Sequence, residues 1–262
     1  MTGDAALADV VAGSRAWPFW AMLGWNDVKQ RYRRTLIGPF WITASMSVMI
    51  GAIAIIYSAI FQVSLASYVM YLAAGMVTWF FISTSLVEGM SAFTNAEGII
   101  KQSPIPFTIY IYRVVWRNII VLMHNAIVVA VVFVFFGHFS LWLPVQLVIG
   151  VAIVGANLFV VCLALAIIST RYRDLPPIVA NAVQILFYVT PILFAPSQLP
   201  SKLRLISDFN PFYHLVDVLR RPMIGEWADP LSYVVAIGCL IVSGAATLFL
   251  FRRCRSRIAY WL

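Results

Sequence analysis

Six long apolar runs constrain this chain more than any other feature of its sequence. A helix that crosses about 30 Å of hydrocarbon needs roughly 20 mainly apolar residues, so each run is predicted to be a membrane-spanning helix. The composition agrees, because 62% of the residues are hydrophobic and 11% are charged, which is more apolar surface than a soluble domain of this length could bury. The sequence therefore predicts an all-α integral membrane protein with six transmembrane helices. The runs lie near 36–61, 68–89, 107–136, 143–169, 178–195 and 231–251.

Positive charges lie mainly on one side of these runs. Of the eighteen Lys and Arg residues, five precede the first run, four follow the last, three lie at the second connection and two at the fourth. Cytoplasmic segments carry such an excess, so both termini are predicted to be cytoplasmic. The net charge of +8 is then explained by topology, and nucleic-acid binding is not expected. A cleavable signal peptide is not expected either, because residues 1–35 contain three aspartates and no continuous apolar core.

Residues 17–32, which precede the first run, have the pattern of an amphipathic helix. Trp and other apolar residues recur at three- and four-residue spacing from Trp17 to Tyr32, and Lys29 and Arg33 lie on the opposite face. A Trp-rich and basic pattern is typical of a helix in the membrane interface, while packing against a cytosolic partner is the alternative. The predicted divisions of the chain are a cytoplasmic N-terminus with this helix at 1–35, a transmembrane domain at 36–251 and a cytoplasmic tail at 252–262.

The fifth connection, at about 195–229, is long and rich in apolar residues. Irregular backbone at membrane depth is tolerated where protein or a water-filled cavity covers it. This segment is therefore predicted to form an outer re-entrant or interfacial helix pair, and an ordinary soluble loop is the alternative.

The third run is longer than a bilayer requires. Its 30 residues, 107–136, would reach about 45 Å at roughly 1.5 Å per residue, so its first turns are predicted to project into the inner headgroup layer. Arg113 and Arg117 lie four residues apart on one helix face, where a lipid phosphate or an anionic substrate could meet them. Snorkelling of both side chains to the interface is the alternative.

The chain lacks the sequence signs of its own energy source or reaction centre. It has no G-x-x-x-x-G-K-[ST] phosphate loop, and its three His and three Cys do not have metal-ligand spacing. Its acidic residues lie at span ends, in loops or near the termini, with Glu88 nearest to an exception. The sequence therefore predicts no catalytic residue, metal or cofactor in this chain, and the driving force is expected from another polypeptide.

Four short stretches, taken in order, carry a family resemblance. They are RYRRTLIGPFW at 31–41, RYRDL at 171–175, TPI at 190–192 and NP at 210–211. Around six spans, this order resembles the membrane subunit of polysaccharide exporters of the ABC-2 class, which move lipid-linked O-antigen and include teichoic-acid and capsule exporters. The resemblance covers about residues 15–255.

The resemblance implies an assembly in the bacterial inner membrane. Two copies of this chain would join two copies of a separate ABC ATPase, which binds ATP and Mg. It also implies a coupling helix in the second connection that docks into a groove on the ATPase. The matching residues are Glu97, Gly98, Ile99, Ile100 and Lys101.

Three further sets of residues are candidates within this assembly. The anionic headgroup of the lipid carrier is predicted to bind Arg31, Arg33, Arg34, Arg113 and Arg117. Aromatic rings stack weakly on sugars, so Tyr57, Phe61, Tyr68, Tyr71, Trp79, Phe80 and Phe81 are candidates to line the polymer path, although interfacial anchoring is the alternative for Trp and Tyr. The outer gate is predicted at Pro196, Leu199, Asn210 and Pro211.

The function predicted from the sequence is export of lipid-linked polysaccharide, with O-antigen as the first expectation. Export of teichoic acid or capsule is the nearest alternative, followed by export of a drug or small lipid by an ABC-2 permease. An intramembrane enzyme that acts on polyprenyl lipids is the alternative from another class.

Overall fold

The computed structural model describes residues 2–33, 38, 40–136, 143–198, 200 and 208–262. Within these ranges the regular structure is helical and contains no strand. Two short 3-10 turns occur, at Thr94–Ala96 and Pro196–Gln198. The α-helices are α1 (Thr2–Arg15), α2 (Trp17–Tyr32), α3 (Phe40–Phe61), α4 (Leu65–Met90), α5 (Glu97–Ile100), α6 (Thr108–Phe136), α7 (Leu143–Arg171), α8 (Leu175–Val189), α9 (Pro211–Met223) and α10 (Pro230–Trp261).

Of the described helices, α3, α4, α6, α7 and α10 are long and apolar enough to cross a membrane. They correspond to five of the six predicted spans, so the prediction of a helical, multi-pass membrane protein is confirmed. The sixth, predicted at 178–195, corresponds to α8, which has 15 residues and extends about 22 Å. A six-span count is therefore not confirmed, because α8 is apolar but shorter than a full crossing.

Proline explains why α8 ends before the predicted boundary. Thr190 has φ −83° and ψ 133°, and the residue before a proline is pushed towards such extended conformations. Pro191 follows directly, so the helix stops at Val189 while the apolar sequence continues. Hydrophobicity alone could not show this boundary.

Both ends of the described chain lie at the same end of the helix bundle. Ser169, near the end of α7, donates a 2.5 Å hydrogen bond to the carbonyl of Met90 at the end of α4. The guanidinium of Arg171 lies 5.4 Å from the ring of Trp261 at the end of α10. We call this the terminal end, and we call the opposite end, where α4 begins and α8 ends, the distal end.

A buried carboxylate, Asp9, joins three elements at the terminal end. Its Oδ1 accepts a 3.1 Å hydrogen bond from the backbone N–H of Thr108, and its Oδ2 accepts one of 3.2 Å from Phe107. Asp9 thereby caps the start of α6 from α1, and it pairs with Arg255 of α10 at 2.9 Å. Neither α1 nor this cap was predicted, because the capping residue lies 99 positions from the helix that it caps.

Close approach of α4 to α7 occurs at Gly89. A Cβ at this position would lie 2.7 Å from the Cβ of Cys162 and 3.4 Å from its Cα. We expect Gly89→Ala to destabilise the bundle by about 1–3 kcal/mol through overpacking and to lower the thermal midpoint of the chain in detergent. Gly51→Ala is the matched control, because a Cβ there meets open space. Equal midpoints for both variants would contradict tight packing at Gly89.

Candidate functional site

An open groove of about 600 Å³ lies between α3, α4 and α8. Its surface is mainly apolar and aromatic, with a few hydroxyl and amide groups. Such a mixture, apolar with a small number of polar groups, is typical of ligand sites in proteins. The lining residues are Trp41, Ile42, Ser45, Met46, Met49, Met76, Trp79, Phe80, Ser83, Ala180, Val183, Gln184, Phe187 and Tyr188.

One wall of this groove, α3, is largely uncovered in the single chain. Only 17% of the most apolar stretch of α3 is buried, compared with 61% for α4. Val48, Ile55, Ile56 and Ile60 of α3 are each more than half exposed. The face of α3 beside the groove is therefore open in the single chain.

Two of the predicted polymer-lining aromatic residues, Trp79 and Phe80, lie in the groove. Trp79 also contacts the rings of Phe187 and Phe212, each with centroids 6.0 Å apart. Phe81, by contrast, is 1% exposed and packs in the core, so it does not line the groove.

The other predicted aromatic residues lie nearer the distal end. Tyr57 and Phe61 contact each other, with ring centroids 5.7 Å apart, and Phe61 lies 6.0 Å from Tyr68. Tyr68 and Tyr71 are occupied by hydrogen bonds to the backbone that follows α8. Their contact with a polymer stays a prediction.

The irregular backbone at 190–194 is stabilised by side chains from other helices. Tyr68 donates a 2.6 Å hydrogen bond to the carbonyl of Leu193, and Tyr71 donates one of 3.0 Å to the carbonyl of Pro191. Arg220 of α9 also donates to the Pro191 carbonyl, at 2.8 Å. Backbone carbonyl groups that have lost their helical hydrogen bonds need such donors in an apolar setting. The hydrogen bonds from Tyr68, Tyr71 and Arg220 therefore stabilise the break after α8.

Around Arg220, α9 contributes a buried polar centre. Arg220 is 2% exposed and Asp217 is fully buried, and their side chains pair at 3.3 Å. Asp217 also pairs with Arg221 at 3.0 Å and accepts a 2.9 Å hydrogen bond from Ser232. The guanidinium of Arg220 stacks 4.3 Å from the ring centroid of Tyr71. Arg220 and Arg221 belong to the fifth connection, which the predicted topology places on the side opposite the termini, but Arg220 is part of the interior.

The predicted gate residues are partly brought together. Asn210 accepts a 2.9 Å hydrogen bond from the N–H of Phe212, which caps α9, and it donates one of 2.9 Å to the hydroxyl of Thr190. Pro211 is the first residue of α9, and Pro196 begins a separate 3-10 turn. Leu199 lies outside the described residues. Asn210 thus connects α9 directly to the end of α8, while gating and a re-entrant position stay predictions.

A cluster of charged side chains joins α2, α4 and α6 at the terminal end. Arg113 pairs with Asp27 through two hydrogen bonds, of 2.8 and 2.5 Å. Arg117 reaches Asp27 at 2.8 Å and Glu88 at 2.7 Å. Arg31 completes the set by pairing with Glu88 at 2.7 Å. We call these five residues the charge cluster.

Hydrogen bonds and positive charges surround the two carboxylates of this cluster. Asn118 donates a 2.9 Å hydrogen bond to Oε2 of Glu88 and accepts one of 2.9 Å from Thr84. Burial raises the pKa of Asp27, but the hydrogen bonds and positive charges of Arg113 and Arg117 outweigh it and hold that pKa below its usual value. Asp27 is therefore an anion that positions both arginines.

Three of the predicted headgroup arginines, Arg31, Arg113 and Arg117, meet in the charge cluster. Arg33 is exposed at the end of α2, and Arg34 lies outside the described residues. The sequence did not predict that Asp27 and Glu88 pair with these arginines. Glu88 is the residue from which such pairing could have been predicted, because a carboxylate within an apolar span needs a partner.

The packing of α2 explains how the cluster is assembled. Gly24 of α2 allows close approach to α6, because a Cβ there would lie 2.9 Å from the Trp116 ring and 3.2 Å from the carbonyl of Arg113. Trp20 stacks on Tyr112, with ring centroids 5.4 Å apart. The predicted amphipathic helix is confirmed as a helix, with its buried face on α6, while its place in the membrane interface stays a prediction.

The predicted coupling residues lie together at the terminal end. Ile99 is 48% exposed, whereas Ile100 packs partly against the core. Lys101 pairs with Glu97 at 2.6 Å, and this hydrogen bond and charge lower the pKa of the Glu97 carboxyl. Gly98 is exposed between them. An apolar side chain within a charged rim is thus available for docking.

Within the described ranges, no group of three or more His, Cys, Asp or Glu is placed to hold a metal ion. The three cysteines are unpaired, and Cys162 is buried.

Two proteins that share one name align with most of this chain. A protein from Klebsiella pneumoniae named O-antigen export system permease protein RfbA is 23% identical over 196 residues, which cover 73% of this chain and 74% of that protein. A protein of the same name from Myxococcus xanthus is 22% identical over 233 residues, which cover 87% and 90% of the two chains. This chain is similar to polysaccharide-export permeases of the ABC-2 type. The resemblance inferred from its motifs is thereby confirmed, and no protein-family model matches the chain.

Proposed function

We propose that this chain is the permease subunit of an ATP-driven ABC exporter that moves lipid-linked polysaccharide, O-antigen in the first instance, across the bacterial inner membrane. The observation that carries this proposal is the similarity to O-antigen export permeases over 73–87% of the chain. A separate ABC ATPase supplies the energy, and the terminal end faces the cytoplasm. The positive charges at both termini support that orientation.

The α3–α4–α8 groove is the proposed path of the polymer. Phe80 offers an aromatic surface next to the buried Trp79, and Ser83 and Gln184 offer hydrogen-bonding groups, so a sugar chain meets weak and repeated contacts. A second copy of the chain covers the exposed face of α3 and closes the conduit. This assignment gives a role to an apolar helix face that the single chain leaves open.

The charge cluster is the proposed site for the anionic headgroup of the lipid carrier. Its three guanidinium groups and two carboxylates leave one excess positive charge. Arginine pairs with phosphate oxygens through two parallel hydrogen bonds. Along α4, Glu88 lies eight residues from Phe80, or about 12 Å, so a headgroup at the cluster places the attached sugars near the groove.

Reconstitution with the partner ATPase tests the function. In liposomes that contain both chains, lipid-linked O-antigen is expected to raise ATP hydrolysis several-fold and to become accessible on the opposite side of the bilayer. Teichoic acid, capsular polysaccharide and small lipids serve as competing substrates. Stimulation by a small lipid but not by any polymer would contradict the proposal, and conversion of a polyprenyl lipid by this chain without the ATPase would favour an enzyme.

A further inference from the structure

Glu88 is placed between an exposed arginine and an arginine that is mostly covered by protein. Its Oε1 accepts a 2.7 Å hydrogen bond from Arg31, whose side chain is 46% exposed. Its Oε2 accepts bonds from Arg117 at 2.7 Å and from Asn118 at 2.9 Å, and the Arg117 side chain is 15% exposed. One face of this carboxylate is therefore fixed in the protein, while the other holds a side chain that solvent and lipid headgroups can reach.

The pair between Arg31 and Glu88 connects the last turn of α2 to α4. Arg113 and Arg117 tie α2 to α6 through Asp27, at 2.5 and 2.8 Å, so the body of α2 stays attached if Arg31 moves. After Arg31 the chain leads into α3, which supplies Trp41 and Ser45 to the groove. Arg31 of this ion pair therefore lies ten positions before Trp41 in the sequence.

We propose that Glu88 is a resident competitor that the diphosphate of the incoming lipid carrier displaces from Arg31. This inference rests on the proposed function and adds a specificity-determining residue to the headgroup site. A diphosphate carries more negative charge than one carboxylate and offers paired oxygens that match a guanidinium. It replaces Glu88 at Arg31, while Glu88 keeps Arg117 and Asn118. A singly charged headgroup gains little from the same exchange.

The exchange takes place on the face of α4 that also lines the groove. Phe80, Thr84 and Glu88 follow each other at four-residue spacing and share one face of α4. Thr84 donates to Asn118 at 2.9 Å, and Phe80 lines the groove. When Arg31 leaves Glu88, the ion pair between the last turn of α2 and α4 is broken next to this face. The headgroup then lies on the same face of α4 as Phe80, where the proposed polymer path begins.

Pyrophosphate is a direct probe of the exchange. The purified full-length chain, in neutral detergent without magnesium and at constant ionic strength, is titrated with sodium pyrophosphate and binding is followed by calorimetry. Glu88→Gln removes the competing charge but keeps the shape, so it is expected to bind pyrophosphate roughly three- to tenfold more tightly than the natural chain. Arg31→Gln is expected to bind at least as many times more weakly.

Two further variants make the test specific. Glu226→Gln removes the same charge from a glutamate that pairs with Arg221 at 3.3 Å, in the segment that joins α9 to α10, and it is expected to leave pyrophosphate affinity unchanged. Glu88→Asp keeps the charge with a shorter reach and is expected to give an intermediate affinity, which supplies a second measurement if Glu88→Gln does not fold.

The outcomes separate this inference from the function on which it rests. Equal affinity in the natural chain, Glu88→Gln and Glu88→Asp overturns the exchange, even if pyrophosphate binds. Absence of binding in the natural chain overturns both the exchange and the headgroup site. A separate assay tests the proposed function: lipid-linked polysaccharide should stimulate ATP hydrolysis in the reconstituted complex. If this stimulation alone is absent, the result counts against the proposed function and not against the exchange.

Discussion

Arg220→Leu is expected to lower the free energy of unfolding by about 3–5 kcal/mol, the usual consequence of removing one member of a buried ion pair. The substitution removes one of the two donors to the Pro191 carbonyl and the donor to the Tyr71 hydroxyl, and it leaves the fully buried Asp217 with less positive charge. Thermal unfolding in detergent measures the effect, which corresponds to a fall in the midpoint of roughly 10 °C.

Neighbouring Arg221 offers a matched control for this prediction. It lies on the same helix and also pairs with Asp217, at 3.0 Å, but its side chain is 35% exposed. Arg221→Leu is therefore expected to cost about 1 kcal/mol or less. Arg220→Lys keeps the charge but not the fork of donors, and it is expected to fall between the two. Equal losses for Arg220→Leu and Arg221→Leu would show that the buried centre does not hold the backbone after α8.

The burial of Arg220 and its partners could not be predicted from the sequence. Hydropathy places the spans well, because a bilayer requires long apolar runs, and α3, α4, α6 and α7 lie close to the predicted ranges. Helix α10 continues ten residues beyond its predicted end at 251, to Trp261. The segment after α8 combines charges with apolar residues, so it gives no such signal. Arg220 is separated from Tyr71 by 149 residues and from Pro191 by 29. The hydrogen bonds of Arg220 to Tyr71 and Pro191 are therefore evident only in the folded chain.

For the charge cluster, the sequence predicted the helix face of the arginines but not their partners. Four-residue spacing correctly placed Arg113 and Arg117 on one face of α6, as expected from helix geometry. Their partners could not be predicted in this way, since Asp27 lies 86 residues from Arg113 and Glu88 lies 29 from Arg117. Charge counting had treated these arginines as topology signals or free anion sites. Pairing with Asp27 and Glu88 neutralises two of the three positive charges in the cluster, so these carboxylates decide how much charge is available.

Ile99→Asp is expected to abolish export while the chain still folds. If Ile99 docks in an apolar groove on the ATPase, a carboxylate placed there is buried without a partner at a cost of several kcal/mol. Co-purification of the ATPase with the chain should then fall by at least about tenfold, since about 1.4 kcal/mol corresponds to a factor of ten. The thermal midpoint of the chain alone should not change, because Ile99 is already 48% exposed.

This position is a sharper test than its neighbour, because Ile100 packs partly against the core and Ile100→Asp would damage folding and docking together. Gln102→Asp introduces the same charge three residues further along, at an exposed position, and is expected to keep both ATPase binding and export. Natural levels of co-purification and export in Ile99→Asp would remove this loop from the coupling role. Loss of both in Gln102→Asp as well would show that negative charge near the loop, rather than burial of Ile99, disturbs the contact.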